Sequence, residues 1–149
     1  MIKEWFECKI TYFNADEDGK EKKTIEGYLI DAITFTEAEA RLSEQMESIV
    51  SGDFVVESIK KSNISEIHAF EAGEYWYKCK VIILDVDEKS GKEKKSNTFM
   101  LVMADNVKET FERVENVLSE MLVPYSIHSI TESTIFDVFP YLEAEEKPD

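Results

Sequence analysis

The reactive chemistry this chain offers starts with two cysteines, Cys8 and Cys79, and two histidines, His68 and His128. Nucleophilic catalysis needs a nucleophile beside a base that is held in place. Cys8 and Cys79 each fall at an inward position of an alternating apolar segment, where a cysteine acts as a small hydrophobe. The two histidines have no counterparts of each other, and neither HExxH nor CxxC is present. Asn14-Ala15-Asp16-Glu17-Asp18-Gly19 has the opening rhythm of a calcium loop, but its twelfth position is Ile25, where a bidentate glutamate is required. Five glycines in all form neither GxGxxG nor GxxxxGK[ST]. Scattered carboxylates single out no acid/base pair. The expectation is a non-enzyme, without cofactor, metal or small-molecule substrate.

Surfaces offer more. Trp5 and Trp76 fall on the strand faces opposite the cysteines, in register with Lys9 and Lys80. Lys20, Lys22 and Lys23, and again Lys92, Lys94 and Lys95, cluster at the tips of two hairpins. Aromatic rings interleaved with lysines can hold single-stranded nucleic acid by stacking and phosphate contact. The opposing feature is acid. Seventeen Lys and Arg against 32 Asp and Glu leave a net charge of −15, which repels nucleic acid at long range and attracts basic partners. Glu37, Glu39, Glu44 and Glu47 line one helical segment, and Glu109, Glu112, Glu115 and Glu120 another. Such a face suits a basic protein partner, or imitates a nucleic-acid backbone and so occupies a nuclease or defence protein. A protein partner is the favoured expectation. The acidic tail is expected to be disordered, with Phe139-Pro140-Tyr141 ahead of it as an alternative docking peptide.

The elements that must position these residues are written twice. Trp5-Phe6-Glu7-Cys8-Lys9-Ile10 recurs as Trp76-Tyr77-Lys78-Cys79-Lys80-Val81. Gly19-Lys20-Glu21-Lys22-Lys23 recurs as Gly91-Lys92-Glu93-Lys94-Lys95, and Glu37 and Arg41 match Glu109 and Arg113. Ser58-Ile59, Ser62 and Ile64 match Ser129-Ile130, Ser133 and Ile135. This reads as an internal duplication of 4–67 and 75–138. It divides the chain into a first repeat over 1–70, a second over 71–138 and a tail over 139–149, with His68 to Glu74 as the joint.

Phe6, Cys8, Ile10 and Tyr12 alternate with Trp5, Glu7, Lys9 and Thr11, the pattern of a half-buried strand. Charged Gly-Lys stretches mark the hairpin tips. Apolar steps of three and four through Phe35, Ala38, Leu42, Met46 and Ile49 predict one helix. Val107, Thr110/Phe111, Val114, Val117/Leu118 and Met121 predict the second. Thr34 with Glu37, or Thr36 with Glu39, caps the first helix, and Asn106 with Glu109 the second. Gly52 and Pro124 are expected to stop them. Short strands follow over Phe54–Lys60, Ile64–Phe70, Tyr125–Thr131 and Ile135–Phe139. A unit of this size is marginal alone, so the two copies are expected to share a sheet or to pack helix on helix. The predicted fold is α+β: two ββαβ(β) repeats related by pseudo-twofold symmetry, with mostly antiparallel sheets covered by two helices.

No apolar run approaches the ~20 residues of a membrane span. Met1-Ile2-Lys3-Glu4-Trp5 lacks a basic-then-apolar signal, and two cysteines make no disulfide framework, so a cytoplasmic setting is expected. The combination of Trp-aromatic-x-Cys-Lys, an acidic Gly-Lys hairpin, Phe35-Thr36-Glu37-Ala38-Glu39-Ala40-Arg41 and Asp137-Val138-Phe139-Pro140-Tyr141 resembles a family of small uncharacterised proteins of gut bacteria and their phages. The resemblance implies a phage or mobile-element setting and no particular chemistry.

Overall fold

Alternation over Glu4–Ala15 and Glu21–Ala32 produces two twelve-residue strands, β1 and β2, paired antiparallel along their whole length. The computed structural model describes residues 3–70 and 72–140. The turn between β1 and β2 is closed by Asp16, whose Oδ1 accepts the backbone N–H of Asp18 and of Lys20, both at 2.9 Å. The first carboxylate of the calcium-like stretch is therefore engaged by the turn itself. Gly19 has φ 81°, the left-handed backbone that favours glycine. The later hairpin, β5 (Tyr75–Val86) with β6 (Glu93–Ala104), is built alike, with Gly91 at φ 72°.

Between the hairpins lie α1 (Phe35–Ile49), β3 (Phe54–Lys61) and β4 (Ile64–His68). After the second hairpin come α2 (Val107–Leu118), β7 (Tyr125–Glu132) and β8 (Ile135–Phe139). The cap of α1 is Thr34 rather than Thr36. Its hydroxyl accepts from the N–H of Glu37 at 3.1 Å, while Oε1 of Glu37 accepts from the N–H of Ile33 at 2.6 Å. Asn106 and Glu109 form the same reciprocal box on α2. Both helices end earlier than Gly52 and Pro124 would require, at Ile49 and Leu118, and Met121 lies beyond α2. Ala38, Leu42 and Met46 carry the buried stripe of α1, and Thr110, Val114 and Leu118 that of α2. Phe35 and Ile49, read as part of the stripe, are about half exposed.

The eight strands form two four-stranded sheets, in the orders β3-β1-β2-β8 and β4-β6-β5-β7. The expected common sheet is not formed. The fourth strand of each half lies in the other half's sheet. β8 pairs parallel with β2, and β4 pairs parallel with β6. The two compact units follow this exchange: 3–62 with 134–140 make one, and Asn63–Ser133 the other. The exchange begins where the chain leaves β3. The N–H of Ser62 donates to the carbonyl of Trp5 at 2.8 Å, as that of Ser133 does to Trp76. β4 then runs beside Phe99–Val102, an apolar edge that matches Ile64 and Ile67.

Within the first unit, Phe6, Cys8, Ile10, Tyr28, Ile30 and Ala32 pack under Ala38, Leu42 and Met46. In the second, Cys79, Val81, Met100 and Val102 pack under Val114 and Leu118. Tyr28 is fully buried. Its hydroxyl donates to Oε1 of Glu26 at 2.6 Å, and Tyr12 donates to Oε2 at 3.2 Å. The ring of Phe139 stacks on Tyr28 with centroids 5.2 Å apart. Phe139 is thus an internal packing residue of the first unit, which corrects its reading as a docking anchor. The acidic segment 141–149 lies outside the described residues. Two arginines fasten the exchanged strands. Arg41 on α1 donates to the carbonyls of Asp31 and of Pro140, just past β8. Arg113 on α2 donates to the carbonyl of Met103 and lies 4.5 Å from the ring centre of Phe70, just past β4.

Candidate functional site

The thiols face the helix-side cores and are unpaired with each other. Burial, and then the charge of Glu7, pushes the Cys8 thiol up to about 12, and burial pushes Cys79 up to about 11. A thiol this reluctant to ionise is a poor nucleophile. We expect neither cysteine to be alkylated at pH 8 in the native state, with both labelled once urea unfolds the chain, as read by intact mass. The raised folded values also have a direction in pH. The unfolded thiols ionise near 9, the folded ones later, so their contribution to stability is complete below pH 9 and is lost as pH climbs through 11 and 12.

His68, at the end of β4, has Nε2 3.1 Å from Oε1 of Glu66 on the same strand, a surface contact. His128 lies where the β5–β7 register shifts, between the Lys80–Ser129 and Val81–Ile127 pairs. No group of three His, Cys, Asp or Glu among the described residues is arranged to hold a metal ion. No helix among them is long and apolar enough to cross a membrane.

The face of each sheet opposite its helix carries the tryptophans and part of the lysine set. In the first sheet, alternation brings Trp5, Lys9 and Lys23 to that face, while Lys22 projects from the other. In the second it brings Trp76, Lys80 and Lys95 together and turns Lys94 away. Lys20 and Lys92 stand at the exposed tips. The stacking platform is weakened by burial: Trp76 is only 7% exposed and Trp5 is half-buried. A ring enclosed to that extent leaves little face for a base.

Two clefts open on this face of the first sheet. One, of about 210 Å³, is lined by Glu7, Cys8, Lys9, Gly27, Ser58, Lys60, Thr134 and Ile135. Beside it, and sharing Lys9 and Ser58, a cleft of about 360 Å³ is lined by Lys9, Thr11, Lys23, Ile25, Glu57 and Ser58. Gly27 pairs with Lys9, and the matching residue opposite Lys80 in the second sheet is Phe99, whose ring lies 5.1 Å beneath the Lys78 ammonium. A glycine thus lines the cleft of the first sheet at the position where the second sheet has a phenylalanine. Sequence reading selected Lys9 and Lys23 but missed Thr11, Ser58 and Lys60. The alternation places Thr11 on this face. Ser58 and Lys60 reach it through a register shift in the β1–β3 ladder at Glu57, which no local pattern reveals.

On the helices, Glu37 and Glu109 are tied into caps, and Glu115 faces the Tyr125 hydroxyl at 3.5 Å. Glu39, Glu44 and Glu47 stay exposed on α1, and Glu112 on α2. None of these four makes an ion pair among the described residues.

No curated protein matches the chain. No solved structure matches it either. A family model described as a domain of unknown function, DUF4494, matches residues 4–141, nearly the whole α+β architecture set out above, and the chain belongs to that family.

Proposed function

We propose that this is a non-enzymatic acidic interaction protein, made of two duplicated ββαβ(β) repeats with pseudo-twofold symmetry, that engages a basic protein partner in the cytoplasm. The observation that carries this reading is the unpaired, exposed carboxylate set Glu39, Glu44 and Glu47 on the solvent side of α1, within a chain of net charge −15. Carboxylates that stabilise a fold by pairing are neutralised by their own structure, whereas these remain available to an incoming cation. The matched strand orders and the identical burial patterns of β3 with β7 and of β4 with β8 support the duplication. The family resemblance supports a phage or mobile-element setting. There the basic partner would be a nuclease or defence protein whose nucleic-acid groove the carboxylates fill.

Single-stranded nucleic acid as the ligand, held by Trp5, Trp76 and the lysine tips, is the weaker reading, because Trp76 is nearly enclosed. Titration with an arginine-rich peptide and, separately, with a single-stranded oligonucleotide at low salt tests the choice. The peptide should bind in a salt-sensitive manner, and Glu39→Gln/Glu44→Gln/Glu47→Gln should weaken it by about tenfold or more. Saturable oligonucleotide binding with no loss of peptide binding in the triple variant would replace the proposal with the nucleic-acid reading.

A further inference from the structure

Thr11, which lines the larger cleft of the first sheet, carries a buried polar atom with no partner. Thr11 is 4% exposed, and its Oγ1 is buried with no hydrogen-bond partner. An orphaned hydroxyl in a protein interior costs free energy, and such groups are few. Thr11 lies on the lysine-bearing face, directly across from Ile25 on β2 and Val55 on β3. The same cleft is lined by the ammonium-bearing side chains of Lys9 and Lys23 and by Ser58, and Lys60 joins Lys9 and Ser58 in the adjoining one. Lys9, Lys23 and Lys60 make no ion pair among the described residues. In a chain with 32 acidic residues, three unpaired lysines converging on one pair of clefts is a local reversal of sign. Glu7 and Glu57 line the clefts too, so the cations outnumber the carboxylates three to two.

We infer that this cleft binds a small phosphate monoester, with its phosphate on Lys9, Lys23 and the Thr11 and Ser58 hydroxyls and its apolar remainder on Ile25. Lysine serves as a point-charge donor to phosphate, and the hydroxyls add directional bonds. A phosphate dianion has three terminal oxygens and accepts from more of these donors than a two-oxygen carboxylate does. Ile25 is 56% exposed and Phe13, the next residue of β1 on that face, 54%. They form an apolar shelf beside the cations that suits an organic substituent. A cleft of about 360 Å³ matches the scale of ordinary small-molecule sites, which are roughly 300–1,000 Å³. The proposal is independent of the acidic face of α1. It departs from the expectation that no small molecule is bound.

The test is a titration of the intact protein with phenyl phosphate, inorganic phosphate and benzoate, followed residue by residue through backbone amide shifts. Phenyl phosphate should give saturable shifts confined to Lys9–Thr11, Lys23–Gly27 and Glu57–Lys60, with inorganic phosphate and benzoate binding more weakly. Thr11→Val keeps shape and removes only the hydroxyl, so the fold is retained, and affinity should drop by about tenfold. Glu57→Gln removes a repulsive carboxylate and should tighten binding by about threefold. Shifts spread over both lysine tips, no saturation, benzoate binding as tightly as phenyl phosphate, or unchanged affinity in Thr11→Val would each overturn the proposal. Weaker binding in Glu57→Gln would do the same, since it would mean that the carboxylate attracts the ligand.

Discussion

Phe139→Ala is expected to destabilise the first half's sheet, although Phe139 belongs to the second half of the sequence. The ring stacks on buried Tyr28, and β8 forms the edge of the sheet that holds β1, β2 and β3. Removing a packed phenylalanine typically costs ~3–5 kcal/mol, and this half-buried position belongs at the low end, about 3 kcal/mol. The reciprocal substitution, Ile64→Ala, removes a side chain that is buried beside Phe99 in β6 and should cost about 2–4 kcal/mol in the unit Asn63–Ser133. Amide hydrogen exchange separates the two effects. Phe139→Ala should speed exchange in β1 and β2 and spare β5, whereas Ile64→Ala should do the opposite. If each substitution loosened only its own half of the sequence, the exchange of β4 and β8 would be wrong.

Gly73→Ala should lower stability by about 2–3 kcal/mol. Gly73 donates its N–H to the carbonyl of Phe70 at 3.1 Å, and the next residue, Glu74, donates to Oδ1 of Asp105 at 3.0 Å. These bonds draw the joint against the end of β6. A Cβ at position 73 would stand 2.6 Å from the nitrogen and 2.8 Å from the Cα of Ala104. Met103 Cγ, at 2.7 Å, could swing aside, but the Ala104 backbone is fixed in the β5–β6 ladder. Gly52→Ala is the control. A Cβ there meets nothing within 4 Å, so stability should hold or rise by about 0.5 kcal/mol through the unfolded chain's lost freedom. A Gly73→Ala urea midpoint equal to that of the native chain would show that the joint does not approach Ala104 this closely.

Much of the local structure was legible from residue order alone. Alternation located β1 and β5, three- and four-residue steps located both helices, the Asn106–Glu109 spacing located the start of α2, and the start of α1 was narrowed to Thr34 or Thr36. The buried faces of Cys8 and Cys79 followed from the same alternation. These features depend on neighbours a few positions apart, and backbone geometry alone turns them into faces and caps. The candidate site was legible in part. Lys9 and Lys23 were recognised as cations on one strand face, yet their convergence on Thr11, Ser58 and Lys60 depends on three strands and on a register shift at Glu57.

What only tertiary structure decided is which edge each last strand joins and what each outward side chain meets there. β4 and β8 bury and expose the same positions in the same order, and such patterning is indifferent to the identity of the neighbouring strand. A parallel partner is chosen by long-range edge pairing, not by a turn, so it leaves no local signature. The enclosure of Trp76 and the cleft lined by Gly27, where the second unit has Phe99, are likewise properties of packing. The sequence by itself determined the hairpins, the two helical segments, the cap of α2 and the inward faces of β1 and β5. The exchange of strands, the closeness of Gly73 to Ala104 and the open lysine cleft came from contacts between residues far apart in the chain.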